Sequence, residues 1–577
     1  MKTYQNQFIA PKIDNKLRSM VPKEMIASVL VFLFCLMPLA ADVAQRIRES
    51  GIKGGVVALI NCRNTKAIST LAQNSSYLIH ILDHEPQSVE KTRKVFLSKG
   101  LYGHRVTAVH FQGSKLPYAD NTINLLVADS LGTISTTEVM RVLSPLGVMM
   151  IGGKKTIKPW PKEIDDWPQY LNKADNNGVA MDSVVGPPRR LQWVGDLVWA
   201  RSHMAIATTI SMVTGNGRLF AIEDRAVTDN PYLPTEFHIV ARDAFNGREL
   251  WRKPITQWES ITNYIKCLPV QQQRRMAVAG DTLYCTFELE GEVSAVDAAT
   301  GEVIQTYEGT DPCQEVAYND GILYLNVGQR FPAFAYNIVK KDSIGSKART
   351  SGEPFGGSGW NTGYDPEIKD SKNPQSVILA IDAKSGKKLW QTDKLNTYTA
   401  ASLAVKGMYA VYQTVDGLFC LNSKTGELVW DNKKKIGHPL GHDSGSPGTL
   451  PNTVVIGGKT VFAVEAGPKA AGKKASVPKN IVIAYDLKSG KKLWSDNCPG
   501  NYEASSDVFY IDGKLWVGGG GTPTAYDART GKNLGTISQK ENGPMSHDRC
   551  YRNMITEKYY INSKTGGADF LSLSTKD

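Results

Sequence analysis

Two groups of residues in this sequence are of types that bind ligands. The first is one carboxylate, Asp83, which ends an apolar run and could accept hydrogen bonds from a ligand. The second is a set of cationic and acidic side chains in polar loops: Arg201, His203, Arg274, Arg275, His442, Asp443, His547, Arg549 and Arg552. Because guanidinium and imidazole groups form charge-assisted hydrogen bonds with anions, convergence of these loops would predict a site for a small anionic ligand.

Each group also has a structural interpretation. An aspartate at the end of a strand commonly bonds to a turn or caps a helix, as Asp83 could. The Arg and His loops could be tied to one another by salt bridges. Three of the histidines with Asp443 have the chemistry of a metal site, but no ligand spacing supports one, and we predict neither a metal site nor a catalytic residue.

Composition excludes a collagen, a coiled coil and a polytopic membrane protein. The chain has 577 residues, 41% hydrophobic and 21% charged, so it is globular and long enough for two or more domains. The net charge of +11 is spread along the chain in short lysine runs such as residues 433–435 and 473–474. A nucleic-acid site would need a concentrated basic stripe with interleaved aromatics, so we predict a solvated surface and no nucleic-acid partner.

Residues 1–41 have the layout of a secretory leader. A basic segment precedes an apolar run over residues 25–41 that ends in small residues. The run is shorter than the ~20 residues that a spanning helix needs, so we expect a signal peptide or an uncleaved N-terminal anchor, and a periplasmic or cell-envelope location. The alternative is a buried helix of a cytosolic protein.

Cysteine usage gives no redox or metal motif. The eight cysteines, at positions 35, 62, 267, 285, 313, 420, 498 and 550, include no C-x-x-C pair and no adjacent pair. We expect most of them to be small buried side chains on strands. The alternative for two of them is a disulfide, whose cysteines the sequence does not assign.

An α/β unit is predicted over residues 50–155. Short apolar runs alternate with helical segments, which is typical of a parallel sheet covered on both faces. The five candidate strands are residues 56–60, 77–82, 106–111, 123–128 and 148–151. Ligands of such sheets bind at the carboxyl ends of the strands, where Asp83 lies.

Three segments of this unit resemble class I S-adenosylmethionine-dependent methyltransferases. They are Asp83 after the second strand, the Leu-Pro-Tyr-Ala-Asp run at 116–120, and Arg-Val-Leu-Ser-Pro-Leu-Gly-Val at 141–148. The resemblance implies a Rossmann-like fold and S-adenosylmethionine as cofactor, with Asp83 binding its ribose. However, the family's glycine-rich loop after the first strand is Asn-Cys-Arg-Asn-Thr here, and Gln112 stands where an acidic residue often contacts adenine. Side chains such as Arg63 would crowd the ligand, so we expect a fold that has lost catalysis. The family's terminal antiparallel strand pair is not apparent either.

A nine-residue signature recurs through residues 195–577. Its form is [Asp/Asn]-x-x-[Ser/Thr/Asn]-Gly, followed in several copies by x-x-Leu-Trp or x-x-Val-Trp. Copies begin at 243, 297, 382, 422, 486 and 527, with a degenerate seventh near 572. The spacings are 54, 85, 40, 64, 41 and 45 residues, and the minimum near 40 fits one four-stranded propeller blade. The Asp and Gly residues suit the turn, and Leu and Trp suit packing between blades.

The signature resembles the pyrroloquinoline-quinone-type (PQQ-like) repeat of quinoprotein dehydrogenases and of the propeller of the outer-membrane barrel-assembly machinery. It implies a propeller of seven to eight blades. Quinoprotein dehydrogenases stack the quinone on a Trp and often on a disulfide of adjacent cysteines, and they hold Ca²⁺; adjacent cysteines and a convincing calcium constellation are missing from this sequence. Because no outer strand follows the seventh signature, either residues near 191–200 supply that strand or the chain is truncated.

Between the domains, residues 156–194 form a connector rich in Pro and Trp, whose Trp residues we expect to dock one domain on the other. A long glycine-rich insertion at 328–375 is either a functional lid or disordered.

Three functions follow. The first is an exported, non-enzymatic binding or scaffold protein whose propeller meets a protein partner or small anionic ligand, and which touches a membrane only through an N-terminal anchor. The second is a dehydrogenase that uses the quinone with calcium, and the third is an S-adenosylmethionine-dependent methyltransferase.

Overall fold

The structure is a computed structural model of the chain. It describes residues 42–73, 76–195, 208–228, 235–256, 273–328, 375–396, 398–434, 453–466, 479–499, 506–518, 523–537, 553–564 and 567–574. Within these ranges no helix is both long and apolar enough to cross a membrane. The predicted leader and most of the 328–375 insertion lie outside them.

The first domain is an α/β unit. Its helices are Asp42–Ser50 (α1), Thr65–Ala72 (α2), Pro86–Ser98 (α3) and Thr136–Val142 (α4). Its strands are Gly55–Ile60 (β1), Tyr77–Asp83 (β2), Val106–His110 (β3), Ile123–Ala128 (β4), Leu143–Ile151 (β5) and Lys154–Ile157 (β6).

The sheet of this unit has the doubly wound order β3-β2-β1-β4-β5-β6. Strands β1 to β5 are parallel, and both faces are apolar because helices cover them. This confirms the predicted Rossmann-like fold. The sixth strand runs antiparallel to β5 and is one more than the sequence indicated. Helix α1, which precedes the predicted start of the domain, buries Val43 and Ile47 against the sheet.

The second domain is a propeller with seven blades in the described residues. Blade 1 contains Thr209–Gly215 (β8), Arg218–Asp224 (β9), Phe237–Asp243 (β10) and Glu249–Pro254 (β11). Blade 2 contains Met276–Ala279 (β12), Thr282–Thr286 (β13), Val293–Asp297 (β14) and Val303–Thr306 (β15). Blade 3 contains Cys313–Asn319 (β16), Ile322–Gly328 (β17), Gln375–Asp382 (β18), Lys388–Gln391 (β19) and Leu395–Asn396 (β20).

Blade 4 contains Ala404–Lys406 (β21), Tyr409–Thr414 (β22), Gly417–Asn422 (β23) and Leu428–Lys433 (β24). Blade 5 contains Val454–Gly457 (β25), Thr460–Ala466 (β26), Lys479–Asp486 (β27) and Lys492–Pro499 (β28). Blade 6 contains Asp507–Ile511 (β29), Lys514–Gly518 (β30), Thr524–Asp527 (β31) and Asn533–Thr536 (β32). Blade 7 contains Met554–Thr556 (β33), Tyr559–Lys564 (β34) and Gly567–Ser572 (β35), joined by the connector strand Val179–Ala180 (β7).

The signature builds the turn between the third and fourth strands of a blade. In blade 2, Asp297 Oδ1 accepts the backbone N–H groups of Ala299 and Thr300 at 2.9 Å each, and Gly301 takes φ +76°. A Cβ on Gly301 would lie 2.7 Å from the indole of Trp251, which comes from the outer strand of blade 1. Each signature glycine of this kind therefore serves both the left-handed turn and close packing by the preceding blade.

The tryptophan contact repeats around the ring. Each indole covers the signature glycine of the next blade and donates its N–H to a carbonyl of that turn: Trp251 to Ala298 (3.1 Å), Trp390 to Ser423 (2.8 Å), Trp430 to Leu487 (2.8 Å) and Trp494 to Ala528 (3.1 Å). An apolar cluster fills each seam from blades 1 and 2 to blades 6 and 7. The repeat residues thus hold neighbouring blades together, as the sequence predicts.

Blade 1 receives its tryptophan from the connector. Trp193 covers Gly247 and donates its indole N–H to Ala244 O at 3.0 Å, the contact that an outer strand makes elsewhere. Residues 191–195 form no ladder, however, and the connector strand β7 joins blade 7 at its inner strand, β33. The N-terminal segment near 191–200, as far as it is described, supplies the interblade tryptophan without supplying an outer strand.

The connector runs along the inner strands of all seven blades in order. Its carbonyls accept backbone N–H groups from blades 1, 2, 4 and 5: Thr214 to Trp167 (2.8 Å), Val278 to Pro168 (2.8 Å), Val405 to Ala174 (2.7 Å) and Ile456 to Asp175 (2.9 Å). The Gln169 amide pairs with both backbone groups of Tyr318 in blade 3, and the Asn177 amide does the same with Tyr510 in blade 6. These bonds satisfy the channel-facing edge of strands that would otherwise lack partners.

The two domains meet at the signature turn of blade 1. Asn124 on β4 donates to Asp243 Oδ2 at 2.6 Å and accepts from Asn246 Nδ2 at 2.8 Å, and Ser76 Oγ donates to Leu250 O at 2.7 Å. Burial raises the pKa of Asp243, partly offset by the Asn124 bond. Trp160 of the connector also contacts Phe245 of the turn. The amino ends of the α/β strands therefore face the propeller, and the carboxyl ends point away from it.

Candidate functional site

Asp83 lies at the carboxyl end of β2, as the sequence predicts, beside the loop that follows β1. Its side chain is only 3% exposed. Asn61 begins that loop with φ 54°, a left-handed conformation that asparagine tolerates better than most residues. Asn61 Oδ1 accepts the backbone N–H of His84 at 3.2 Å, so the loop folds back onto the end of β2.

The guanidinium of Arg63 forms a bidentate salt bridge with the carboxylate of Asp83. Nε donates to Oδ2 at 2.9 Å and Nη2 donates to Oδ1 at 3.0 Å, and the same Nη2 lies 3.1 Å from Glu85 Oε2. Burial alone would raise the pKa of Asp83, but the bonds from Arg63 and the backbone N–H of Glu85 outweigh it and hold that pKa below its ordinary value. Both oxygens of Asp83 therefore already have charge-assisted partners.

This arrangement bears directly on cofactor binding. A ribose diol would have to displace Arg63 from Asp83 and leave a partly exposed guanidinium and a buried carboxylate to find new partners. Gln112, at the position expected near an adenine, donates to His84 O at 3.3 Å. Both residues that the sequence placed in the cofactor region are engaged with the protein itself.

Substituting Arg63→Gln is expected to raise the pKa of Asp83 from its depressed value, because burial is then opposed only by the remaining contacts such as the Glu85 N–H. In the wild type, with the pKa of Asp83 depressed, stabilisation from Asp83 is complete above the ordinary pKa and is lost as pH falls through the folded-state pKa. In the variant the pKa is less depressed, so less of this stabilisation should be present, and it should be lost at a higher pH.

Carboxyl-carbon NMR titration of Asp83 measures this change directly. The control is Arg93→Gln, which removes the ion pair with Glu90 on α3 and should leave the Asp83 titration unchanged. An Asp83 pKa that is the same in the wild type and in Arg63→Gln would contradict the assigned pairing.

In the propeller, Arg274 and Arg275 precede the inner strand of blade 2 and are buried, 3% and 1% exposed. Arg274 donates to Leu403 O at 2.8 Å and lies 3.6 Å from Glu315 Oε2. Arg275 donates to Cys313 O and, at 3.3 Å, to Gln314 Oε1. The two guanidinium groups thus link blade 2 to blades 3 and 4.

Glu315 completes this buried cluster. Its carboxylate accepts the backbone N–H of Ala401 at 2.6 Å and the hydroxyl of Tyr398 at 3.0 Å. Burial raises the pKa of Glu315, and Arg274 and the two hydrogen bonds counteract that rise. The cluster joins blades 2, 3 and 4 where their inner strands begin.

The other predicted loop residues lie outside the described residues: Arg201, His203, His442, Asp443, His547, Arg549 and Arg552. Their convergence therefore stays a prediction. Among the described residues, no three His, Cys, Asp or Glu side chains are grouped so that they could hold a metal ion.

The structure also contains a cavity that sequence reasoning missed. It lies at the mouth of the channel lined by the connector, has a volume of about 720 Å³, and its wall includes Lys173, Asp175, Lys406 and Asp512. Lys406 Nζ pairs with Asp175 Oδ2 at 2.9 Å. The run of Asn and Asp at 172–177 was the available signal, since such polar runs mark turns, but nothing local shows that it enters the channel.

Comparison with known proteins finds matches to part of the repeat region. A family described as "Outer membrane protein assembly factor BamB" matches residues 374–552. Quinohemoprotein alcohol dehydrogenase ADH-IIG of Pseudomonas putida is 28% identical over 172 residues, which cover 26% of this chain and 22% of that protein. Tetrathionate hydrolase of Acidithiobacillus ferrooxidans is 26% identical over 173 residues, covering 27% and 32%. The matches thus span at most about a third of the relatives' own lengths.

Solved structures give weaker likenesses. BamB from Moraxella catarrhalis aligns with 63% of this chain and 84% of that chain at 13% identity and a TM-score of 0.34. A methyltransferase of Methanococcus maripaludis described as S-adenosyl-L-methionine-dependent covers 22% of this chain and 60% of its own at 24% identity and a TM-score of 0.18. The fold assignment rests on strand order and the repeats.

Proposed function

We propose that this chain is an exported, non-enzymatic binding or scaffold protein. Its PQQ-like propeller makes the contact with a protein or ligand, and its methyltransferase-like unit binds no S-adenosylmethionine. The observation that carries this proposal is the bidentate pair between Arg63 and Asp83. The carboxylate on which the resemblance to methyltransferases depends is already neutralised by the chain's own side chain.

The propeller supports the binding part of the proposal. In the described blades, the Asp, Gly and Trp residues of the repeat serve turns and seams. The connector-lined cavity of about 720 Å³ falls within the size of common ligand pockets. The family described for residues 374–552 is an assembly factor by name, which agrees with a propeller that works by contact.

The dehydrogenase alternative has less support from the residues. The cysteines within the described ranges are all buried: Cys62, Cys285, Cys313, Cys420 and Cys498. They lie on different strands or loops. A stacked quinone on a disulfide of neighbouring cysteines has no counterpart among them.

Calorimetric titration of the full chain with S-adenosylmethionine is expected to give no saturable heat at micromolar to millimolar ligand. Displacing Arg63 from Asp83 would cost more than a neutral diol returns, because two charge-assisted hydrogen bonds would be broken. The matched variant Arg63→Gly removes the guanidinium, and it shows whether the pocket is otherwise intact.

Saturable micromolar binding by the wild type would overturn the proposal in favour of the methyltransferase. Binding by Arg63→Gly alone would support it, since it would show that Arg63 is the block. Dye reduction after adding the quinone with Ca²⁺ and an alcohol would overturn it in favour of the dehydrogenase.

A further inference from the structure

The outer edge of blade 7 has no strand beside it in the part of the chain that the structure describes. In blades 1 to 6, the third strand pairs on its far side with an outer strand, as β10 does with β11 and β31 with β32. In blade 7 the third strand is β35, and it pairs with β34 alone. The fourth strand of that sheet, β7, lies at the opposite edge. β35 is therefore a sheet edge that is open to another strand.

The repeat shows which backbone groups point out of this edge. Ser572 lies opposite Tyr559, just as Asp243 lies opposite Arg218 at the end of the third strand in blade 1. The backbone N–H of Asp243 points away from β9 and donates to Arg248 O at 2.9 Å, directly before the outer strand β11. The backbone N–H of Ser572 therefore points out of blade 7.

Every second residue of a strand directs its backbone N–H and C=O to the same side. Phe570 and Ala568 consequently present these groups at the open edge together with Ser572. Among the described residues, no backbone hydrogen bond from outside the sheet reaches these three positions. Ala568 and Ser572 are exposed and Phe570 is half-buried, so a further strand has access to the edge.

One face of blade 7 carries a row of apolar side chains. Met554 lies opposite Ile561, and Ile561 lies opposite Phe570, so the three side chains share a face of the sheet. Met554 is 46% exposed. Tyr559 packs edge-on against Phe570, with the ring centroids 5.9 Å apart. The seam with blade 6 uses the other face, which carries Ile555. A strand added beside β35 would extend the apolar row.

The open edge is complementary to itself. Its outward residues Ala568, Phe570 and Ser572 are symmetric about Phe570, so a twofold axis at Phe570 brings two such edges together antiparallel. Phe570 then lies opposite Phe570 of a second copy, Ala568 lies opposite Ser572, and each outward N–H meets an outward C=O. Asp569 is the one charged residue of β35, and it faces Leu571, so like charges are not opposed.

We propose that β35 joins two copies of this chain into a dimer through an antiparallel strand pair centred on Phe570. The sheet of blade 7 then continues into the second copy, and the two Phe570 rings meet in the middle of the apolar row. The contact leaves the connector-lined cavity free, because β35 is the strand of blade 7 farthest from the connector strand β7. This inference stands apart from the proposed function, since self-association needs neither a different protein nor a ligand.

Cysteine cross-linking of the full chain tests the register. Opposite residues of a hydrogen-bonded antiparallel pair have Cα atoms about 5.5 Å apart, within the span of a disulfide. Phe570→Cys should therefore give a reducible dimer on oxidation with copper phenanthroline, above the background that the wild type sets with its own cysteines.

Ala568→Cys is the matched control for this cross-link. Position 568 is exposed on the same edge, but its counterpart in the second copy is displaced by about 13 Å along the strand, so this variant should stay monomeric on a non-reducing gel. Combining Ala568→Cys with Ser572→Cys should restore the cross-link, because these two positions face each other across the twofold axis.

Sedimentation velocity gives a readout that needs no engineered thiol. The wild type should sediment as a dimer at about 50 μM and shift towards the monomer on dilution. Phe570→Pro removes an outward N–H and spares the bonds to β34, so it should weaken dimerisation at least about tenfold. Phe570→Val keeps the N–H and should still dimerise. An unchanged near-UV circular dichroism spectrum would show that the proline variant is folded.

A wild type that stays monomeric at about 50 μM would overturn the proposal. Equal cross-linking of Phe570→Cys and Ala568→Cys, or a dimer that Phe570→Pro leaves intact, would overturn it as well. Slow hydrogen exchange at Phe570 in a monomer would assign the edge to another segment of the same chain instead.

Discussion

Replacing Glu315 with leucine is expected to lower the free energy of unfolding of the propeller by about 3–5 kcal/mol. The carboxylate, 1% exposed, is the acceptor for the Ala401 N–H and the Tyr398 hydroxyl and the counter-charge of Arg274. Leucine would leave a buried guanidinium without a carboxylate and two buried donors without an acceptor. Chemical denaturation followed by far-UV circular dichroism measures the loss.

Two control variants test the cause. Glu315→Gln keeps an acceptor oxygen and should cost less than leucine. Adding Arg274→Met to Glu315→Leu should recover part of the loss, because the unpaired buried charge is then gone. A leucine variant within about 1 kcal/mol of the wild type would show that the cluster does not hold blades 2 to 4 together.

Replacing Trp390 with alanine is expected to lower the free energy of unfolding of the propeller by about 3–5 kcal/mol. Trp390 is 8% exposed, lies over Gly426 of the next blade and donates its indole N–H to Ser423 O at 2.8 Å. Its removal opens the seam between blades 3 and 4, since the signature glycine has no side chain to fill the space. The midpoint of chemical denaturation reports the change.

Trp390→Phe is the matched control for this position. Phenylalanine keeps most of the apolar contact and removes the N–H donor, while Ser423 O still accepts the Tyr324 hydroxyl at 3.1 Å. Trp390→Phe should lower the free energy of unfolding by only about 1 kcal/mol. If alanine and phenylalanine destabilised the propeller equally, the hydrogen bond and not the packing would account for the effect of Trp390.

The sequence predicted the parts of the fold that are locally encoded. The Asp or Asn and the Gly of each signature lie four residues apart and make the same turn wherever they occur, so the repeats alone predict the propeller. Continuous apolar strands gave the parallel sheet. The sequence does not predict strand β6, because its four residues, Lys-Lys-Thr-Ile, contain no apolar run.

The features that were missed depend on long-range contacts. Asn177 pairs with Tyr510, 333 positions away, and no periodicity in the connector indicates this. Arg63 was suspected of crowding the cofactor, but its pairing with Asp83 depends on how the loop after β1 turns. Arg274 and Arg275 were candidate ligand residues because they are polar and follow a loop, and only the structure shows their burial against neighbouring blades.

The course of the connector has a consequence for how the ring is made. Synthesis proceeds from the amino terminus, so residues 165–180 leave the ribosome before any blade does. Their successive contacts follow the order in which blades 1 to 7 are later translated. Each newly formed blade therefore finds its own attachment point already present on the nascent chain. The connector thus presents the contacts for the inner strands in blade order before the blades themselves are made.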